Sequence, residues 1–328
     1  MSGATEPDDL LALAAAWRDA GRPVALATVV RTWGSSPRRP GSRMVVSGDG
    51  EFAGSVSGGC VEGAVVEEAL GVLATGQPKL LHYGVTEDQA WAVGLACGGQ
   101  VEIWVEPLPA ILDELLAARR AKRPVVLATR LDGGLDGRGH ELLASGDRVR
   151  DVLATDEARV ATDDSGVATF FEPHNPPLRL VIVGAVHIAR PLSRLAVLVG
   201  FEVVVIDPRR AFTLPEVTRS TRWPDEALAE LAPDARTAVV TLTHDPKLDD
   251  PALTAALRTD AFYLGCLGSK KTHAARLSRL AAAGFDAAAL GRLHGPVGLA
   301  IGAVTPEEIA LSILAEVVAA RHRVEVSG

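Results

Sequence analysis

Aromatic side chains are scarce in this 328-residue chain: they make up 4% of it, against 48% apolar residues overall. Ala, Val and Leu must therefore fill the core. That favours α/β layers with small helix faces over an aromatic-rich β-sandwich. Cysteine is nearly absent as well, with only Cys60, Cys97 and Cys266. So sparse and odd a set argues against a disulfide framework, and without a C-x-x-C pair a structural zinc site is not expected. No apolar run reaches the roughly 18 residues of a membrane span. The N-terminal stretch "MSGATEPDDL" lacks the basic and apolar regions of a signal peptide. A soluble, cytoplasmic protein is expected. Basic tails are missing too, and the net charge is -8, so no nucleic-acid partner is expected. The densest basic run, "ARRAKR" at 118–123, closes a predicted helix, where cations suit the helix dipole.

The length fits two domains of ordinary size. We place them at 1–172 and 173–328, with the proline-rich "FFEPHNPPLR" at 170–179 as linker. The first half reads as a helix at 9–20, a strand at 23–30, an Arg-rich loop at 31–43 and a hairpin turning at Asp49-Gly50. A helix running from Cys60 to Gly76 follows. Then come strands at "KLLHYGV" and "QVEIWVEPL", a helix at "AILDELLAARR", and strands near 124–130, 140–144 and 150–154. This is an α/β domain with a mixed sheet.

From residue 178 the texture changes. "LRLVIVGAV" is an almost unbroken apolar run, as in a parallel strand buried on both faces. Further strands at "FEVVVIDP", "TAVVTLTH" and "AFYLGCLG" alternate with helical patterns, which predicts a Rossmann-like, doubly wound parallel sheet. The last helix carries Thr305 as N-cap, Pro306 at its first position and Glu308 to complete a capping box.

Gly184 ends the first of these strands and Asp207 the second, about where a dinucleotide fold keeps its ribose-binding acid. The glycine fingerprint is broken, because Val186 stands where backbone must approach a pyrophosphate. The topology and its ligand are therefore separate questions, and NAD(P) binding is in doubt. His187 is either an anion contact at the sheet's carboxyl edge or a polar residue at a helix end. Arg209 and Arg210 either meet a 2′-phosphate or are loop charges. "LGCLGSKKTHAAR" is not a P-loop, since Lys270 stands where the second glycine belongs; Ser269 reads as an N-cap. Cys266 reads as a small buried hydrophobe.

"GSVSGGCVEGAV", at 54–65, is the unusual stretch. Cys60 follows Gly58-Gly59 and opens a predicted helix, whose free N–H groups and dipole favour thiolate. Ser57 and the glycines let a ligand lie close to the backbone. A thiolate there suits a persulfide carrier or a ligand to a soft metal or its anionic organic cofactor. The alternative is a structural Cys in a tight turn. Glu62 is either a base or a first-turn Glu favoured by the dipole. Cys97 and Gly98, in "LACGGQVEIW", repeat the glycine-rich flank, which raises one shared site. Arg31, Arg38, Arg39 and Arg43 either supply donors to a phosphate or line a solvated loop.

"RTWGSSPRRPGSRMVV", "DGEFAGSVSGGCVEGAV", "GLACGGQVEIWVEP", "IVGAVHIARPL" and "RLHGPVGLAIGAVTPEEIALSILAE" together resemble the XdhC/CoxI family, over nearly the whole chain and in order. Members are accessory factors of molybdenum hydroxylases such as xanthine dehydrogenase. The resemblance implies a maturation chaperone rather than a turnover enzyme. It would bind the molybdenum cofactor, support its sulfuration and insert it into the apoenzyme. A cysteine desulfurase as sulfur donor and a homodimer are also implied. Cys60 matches the family's SGGC cysteine and Cys97 its CGG cysteine. On this reading Ser57, Gly58, Gly59, Cys60, Glu62, Cys97, Gly98, Gly184, His187 and Asp207 are the candidate cofactor-binding residues, with Cys60 as catalytic thiol and metal ligand. Val186 replaces a glycine usual in the family, and Ala300 stands where the family often has Asp. The alternative function is an NAD(P)-dependent oxidoreductase.

Overall fold

The computed structural model describes residues 9–35, 38–84, 99–132, 139–209 and 217–324. The chain divides into two compact units, Met1–Pro176 and Pro177–Gly328.

The first unit runs α1 (Leu10–Asp19), β1 (Val24–Trp33), β2 (Arg43–Ser47), β3 (Phe52–Gly54), α2 (Glu62–Thr75), β4 (Lys79–Tyr83) and β5 (Gln100–Pro107). It continues through α3 (Leu112–Arg120), β6 (Val125–Arg130), β7 (His140–Leu143), α4 (Asp147–Thr155), β8 (Arg159–Thr162) and β9 (Ala168–His174). The strands form a five-stranded sheet, β3-β2-β1-β5-β4, and a four-stranded sheet, β7-β6-β9-β8.

The α/β character is as expected, but every pairing in this unit is antiparallel rather than mixed. The reason is where α2 delivers the chain. It carries the chain from β3 at one edge to β4 at the other, so the two strands it connects never pair. Its apolar positions recur at Val65, Ala69 and Val72, one helical face, and pack on Ala25, Ala27 and Val29 of β1 and Val101, Ile103 and Val105 of β5. The opposite face of the sheet takes Leu11 and Ala14 of α1 and Leu112 and Leu115 of α3.

Two expectations fail locally. Residues 150–154 lie in α4, not in a strand: Val149 and Val152, three apart, both face the core. The expected linker at 170–179 is half strand, since β9 reaches His174. Pro173 is tolerated there because β8 pairs with β9 only at Ala168–Phe171, leaving Pro173 a partner on one side alone.

The second unit contains β10 (Arg179–Val183), α5 (Ala189–Leu198), β11 (Glu202–Ile206), β12 (Thr218–Ser220), α6 (Pro224–Leu231) and β13 (Thr237–Thr241). It ends with α7 (Pro246–Ala256), β14 (Tyr263–Cys266), α8 (Lys270–Ala282), α9 (Ala287–Leu290), β15 (Leu293–His294) and α10 (Pro306–Arg321). All pairings are parallel, in the order β12-β11-β10-β13-β14-β15. Counted from β10 this is 3-2-1-4-5-6, the Rossmann order. Alternation along each strand divides the core. Leu180, Ile182, Val203 and Val205 pack under α5 and α10. Val181, Val183, Val204 and Ile206 pack under α6, α7 and α8. Each fully buried Leu or Ile contributes about 2 kcal/mol, and continuous apolar strands are the cost of covering both faces.

Candidate functional site

The turn from β3 into α2 is built around one carboxylate. Glu62 Oε1 accepts from Ser55 Oγ (2.7 Å), Val56 N (3.2 Å) and Ser57 N (2.9 Å). Its Oε2 accepts from Ser57 Oγ (2.6 Å), Gly59 N (2.9 Å) and Val61 N (3.2 Å). Ser57 Oγ in turn accepts from Cys60 N and Val61 N, both at 3.0 Å, and Ser55 Oγ from Gly58 N at 2.9 Å. Gly58 and Gly59, at φ 80° and 113°, adopt backbone that side-chain-bearing residues rarely enter, and this lets the chain wrap the carboxylate. Burial would push the Glu62 carboxyl up, but the hydrogen bonds from Ser57 and Ser55 outweigh it and hold it at about 2. It is an ionised acceptor, not a base.

Ser57 and Glu62 are buried beneath this turn, while Gly58, Gly59 and Cys60 are exposed at its tip. Cys60 does not open the helix as expected. Helix α2 starts at Glu62, and the Cys60 N–H is already given to Ser57. The amides of this turn are turned inward onto side chains, so they are not free donors for a thiolate or a bound anion.

The Arg-rich loop joins this turn directly. Arg38 Nε donates to Ser55 Oγ at 3.3 Å. Two other arginines are otherwise engaged: Arg31 pairs with Glu102 at 2.9 Å, and Arg43 with buried Glu172. Arg39 is exposed. The C-terminal end of β1, the start of β2, the end of β3 and the start of β5 share one end of the sheet. The backbone just before β5 is close-packed there. A Cβ on Gly99 would lie 2.3 Å from the Ser35 carbonyl oxygen. Cys97 and Gly98 lie outside the described residues.

In the second unit Gly184 and Asp207 meet at the carboxyl edge of the sheet, just beyond the paired ends of β10 and β11. Asp207 Oδ2 accepts from Ala185 N at 2.7 Å. Arg209 adds its backbone N and Nε to Oδ1, both at 2.9 Å, and Nη2 to Oδ2 at 2.7 Å. Burial raises the Asp207 carboxyl, and the bonds from Arg209 more than reverse it. His187 is exposed and precedes α5 by two residues. Nearby, Thr243 Oγ1 donates to buried Asp249 at 2.5 Å, and fully buried Arg276 donates to the Leu267 carbonyl at 3.0 Å. Cys266 is buried, which pushes its thiol up to about 11, as befits a structural residue.

Sequence reasoning did not single out Ser55, Thr243, Asp249 or Arg276. Ser55 carried a signal, because a serine three residues before a Gly-Gly turn offers its hydroxyl to the turn amides. The buried Asp249–Arg276 pair had none.

A Rossmann-order unit joined to an antiparallel unit that displays an exposed thiol on a glycine turn defines a two-part α/β protein. The model of the XdhC and CoxI family matches residues 17–84, and that of the XdhC Rossmann domain residues 180–317. The chain is 31% identical over 315 residues to the molybdenum cofactor insertion chaperone PaoD of Escherichia coli (strain K12), covering 94% of this chain and 86% of that one. It is 29% identical over 319 residues to a probable xanthine dehydrogenase subunit of Bacillus subtilis (strain 168), covering 92% and 94% of the two. A crystal structure described as a xanthine dehydrogenase from Bacillus halodurans superposes with a TM-score of 0.74 at 26% identity, over 97% of each chain. The chain belongs to the XdhC and CoxI family.

Proposed function

We propose that this protein binds the molybdenum cofactor as cargo, supports its sulfuration and inserts it into a molybdenum hydroxylase such as xanthine dehydrogenase. The observation that carries the reading is the exposed Cys60 at the tip of a turn pinned on both sides, with Arg38 bonded to that turn. A soft thiol suits molybdenum or a sulfane sulfur, and a guanidinium suits the cofactor's phosphate. The name of the E. coli relative supports the same role. Among the described residues no group of three or more His, Cys, Asp or Glu side chains is arranged to hold a metal. An exposed thiol ligand such as Cys60 can let its cargo go. A hydroxylase apoenzyme and a cysteine desulfurase are the partners this role requires, and a homodimer is the assembly we assign.

The test is retention of purified molybdenum cofactor on the wild-type protein and on Cys60→Ala, followed by transfer to apo-xanthine dehydrogenase. Loss of retention in the variant is expected. Equal retention removes Cys60 from the site. Cyanide treatment of the cofactor-free protein separates the two roles of the thiol: thiocyanate released by the wild type and not by Cys60→Ala marks a persulfide on Cys60.

A further inference from the structure

We propose that Glu62 is a positioning residue, whose carboxylate folds the Ser55–Val61 turn into the shape that presents Cys60. All six of its hydrogen bonds are accepted ones, three on each oxygen. Four donors are backbone amides and two are serine hydroxyls, so only a group without protons fits the centre of the turn. The amides on either side of Cys60, those of Gly59 and Val61, both end on Oε2. The Cys60 amide ends on Ser57 Oγ, which itself donates to Oε2. The backbone of Cys60 is thus held from both neighbours and from its own N–H, while its side chain stays in solvent.

A helix cap alone does not explain this arrangement. The N-cap position of α2 is Val61, which has no capping side chain, and Glu62 reaches backward as far as Ser55. The packing of α2 on the sheet rests on Val65, Ala69 and Val72, while the hydrogen bonds of Glu62 go to Ser55–Val61. Removing the carboxylate should therefore loosen the turn and leave the helix docked.

Glu62→Gln keeps the shape but places an amide NH2 against donors. Hydrogen exchange at the Ser57, Gly59, Cys60 and Val61 amides is expected to speed up at least tenfold, in a protein that stays folded with its melting temperature lowered by about 5–10 °C. Resting on the function proposed above, molybdenum-cofactor retention is expected to fall at least tenfold, as in Cys60→Ala. Wild-type exchange rates in Glu62→Gln overturn the proposal, and so does a loosened turn with full retention. If Cys60→Ala itself retains the cofactor, Cys60 is not its ligand, and the exchange rates alone decide the role of Glu62. Should Glu62→Gln not fold, Ser57→Ala removes the hydroxyl that links Cys60 to the carboxylate and is expected to act in the same direction.

Discussion

Arg209 folds back onto Asp207, its Nε 2.9 Å from Oδ1 and its Nη2 2.7 Å from Oδ2. In a dinucleotide-binding Rossmann unit the acid at this place receives ribose hydroxyls. Here backbone amides of Ala185 and Arg209 share the same two oxygens, so the carboxylate is fully used in fixing the loops around it. Val186 adds a branched side chain where a pyrophosphate would press on the backbone.

Two separate obstacles therefore stand against a dinucleotide. The wild-type protein is expected to give no saturation in a nicotinamide fluorescence titration up to millimolar NADH or NADPH. Val186→Gly alone is expected to stay silent, because Asp207 remains occupied. Val186→Gly with Arg209→Ala is expected to gain measurable binding. Micromolar binding by the wild type would put the alternative oxidoreductase reading ahead.

Gly184 is fixed by both conformation and space. Its φ is 104°, and a Cβ there would lie 2.3 Å from Thr243 Cγ2. Gly184→Ala is expected to cost about 3 kcal/mol, part backbone strain and part overpacking. Thr243→Ser removes the offending methyl and keeps the hydroxyl that donates to Asp249. Urea unfolding of the double variant should recover about half of the loss, since the strain at φ remains. Complete recovery would mean that conformation is not the constraint.

The features legible in the sequence are those with local causes. The capping box of α10 formed as read, with Glu308 N donating to Thr305 Oγ1 at 3.2 Å and Thr305 N to Glu308 Oε2 at 2.9 Å. Ser269 caps α8, accepting from Thr272 N. The run "LRLVIVGAV" became a central strand because only a doubly covered strand buries consecutive residues. What was not legible depends on the chain's return. Glu62 reads as a base or a first-turn Glu favoured by the dipole, yet four backbone amides of the preceding turn fold back onto it. Arg276 carries no local signal of burial, yet it is fully buried near Asp249, 27 positions away. The window 150–154 holds only Val152 and Leu153 as large apolar residues, too few to show a period, and the helical partner Val149 lies just outside it.

The two sheets of the first unit are joined by Arg43 of β2 and Glu172 of β9. The side chains are 11% and 9% exposed, and His174 Nε2 lies 3.3 Å from the same carboxylate. Breaking such a pair leaves a buried charge uncompensated, so Arg43→Ala is expected to cost about 3–5 kcal/mol. Replacing both, as Arg43→Met with Glu172→Leu, is expected to cost clearly less than the sum of the single changes. Denaturant unfolding of the four proteins measures the difference, and strict additivity would show that the two side chains act independently.

Glu62 and Glu172 give stability a defined response to acid. Burial raises both carboxyls. The serine bonds outweigh it at Glu62, and the charges of Arg43 and His174 outweigh it at Glu172, so each sits at about 2 against an ordinary value of 4.5. A folded pKa below the unfolded one means that the native state binds fewer protons. The stabilisation is then complete above pH 4.5 and is lost as pH falls through that value toward 2. Each group contributes on the order of 2–3 kcal/mol, and each steepens the pH dependence by at most about 1.4 kcal/mol per pH unit. Glu62→Gln and Glu172→Gln are each expected to flatten the curve in this window by up to one proton's worth, and to leave its slope unchanged between pH 6 and 8. Urea midpoints measured from pH 2 to 8 test this. An undiminished acid slope in Glu172→Gln would mean that Glu172 binds its proton equally in the folded and unfolded states, and that its pairing with Arg43 does not favour the ionised form.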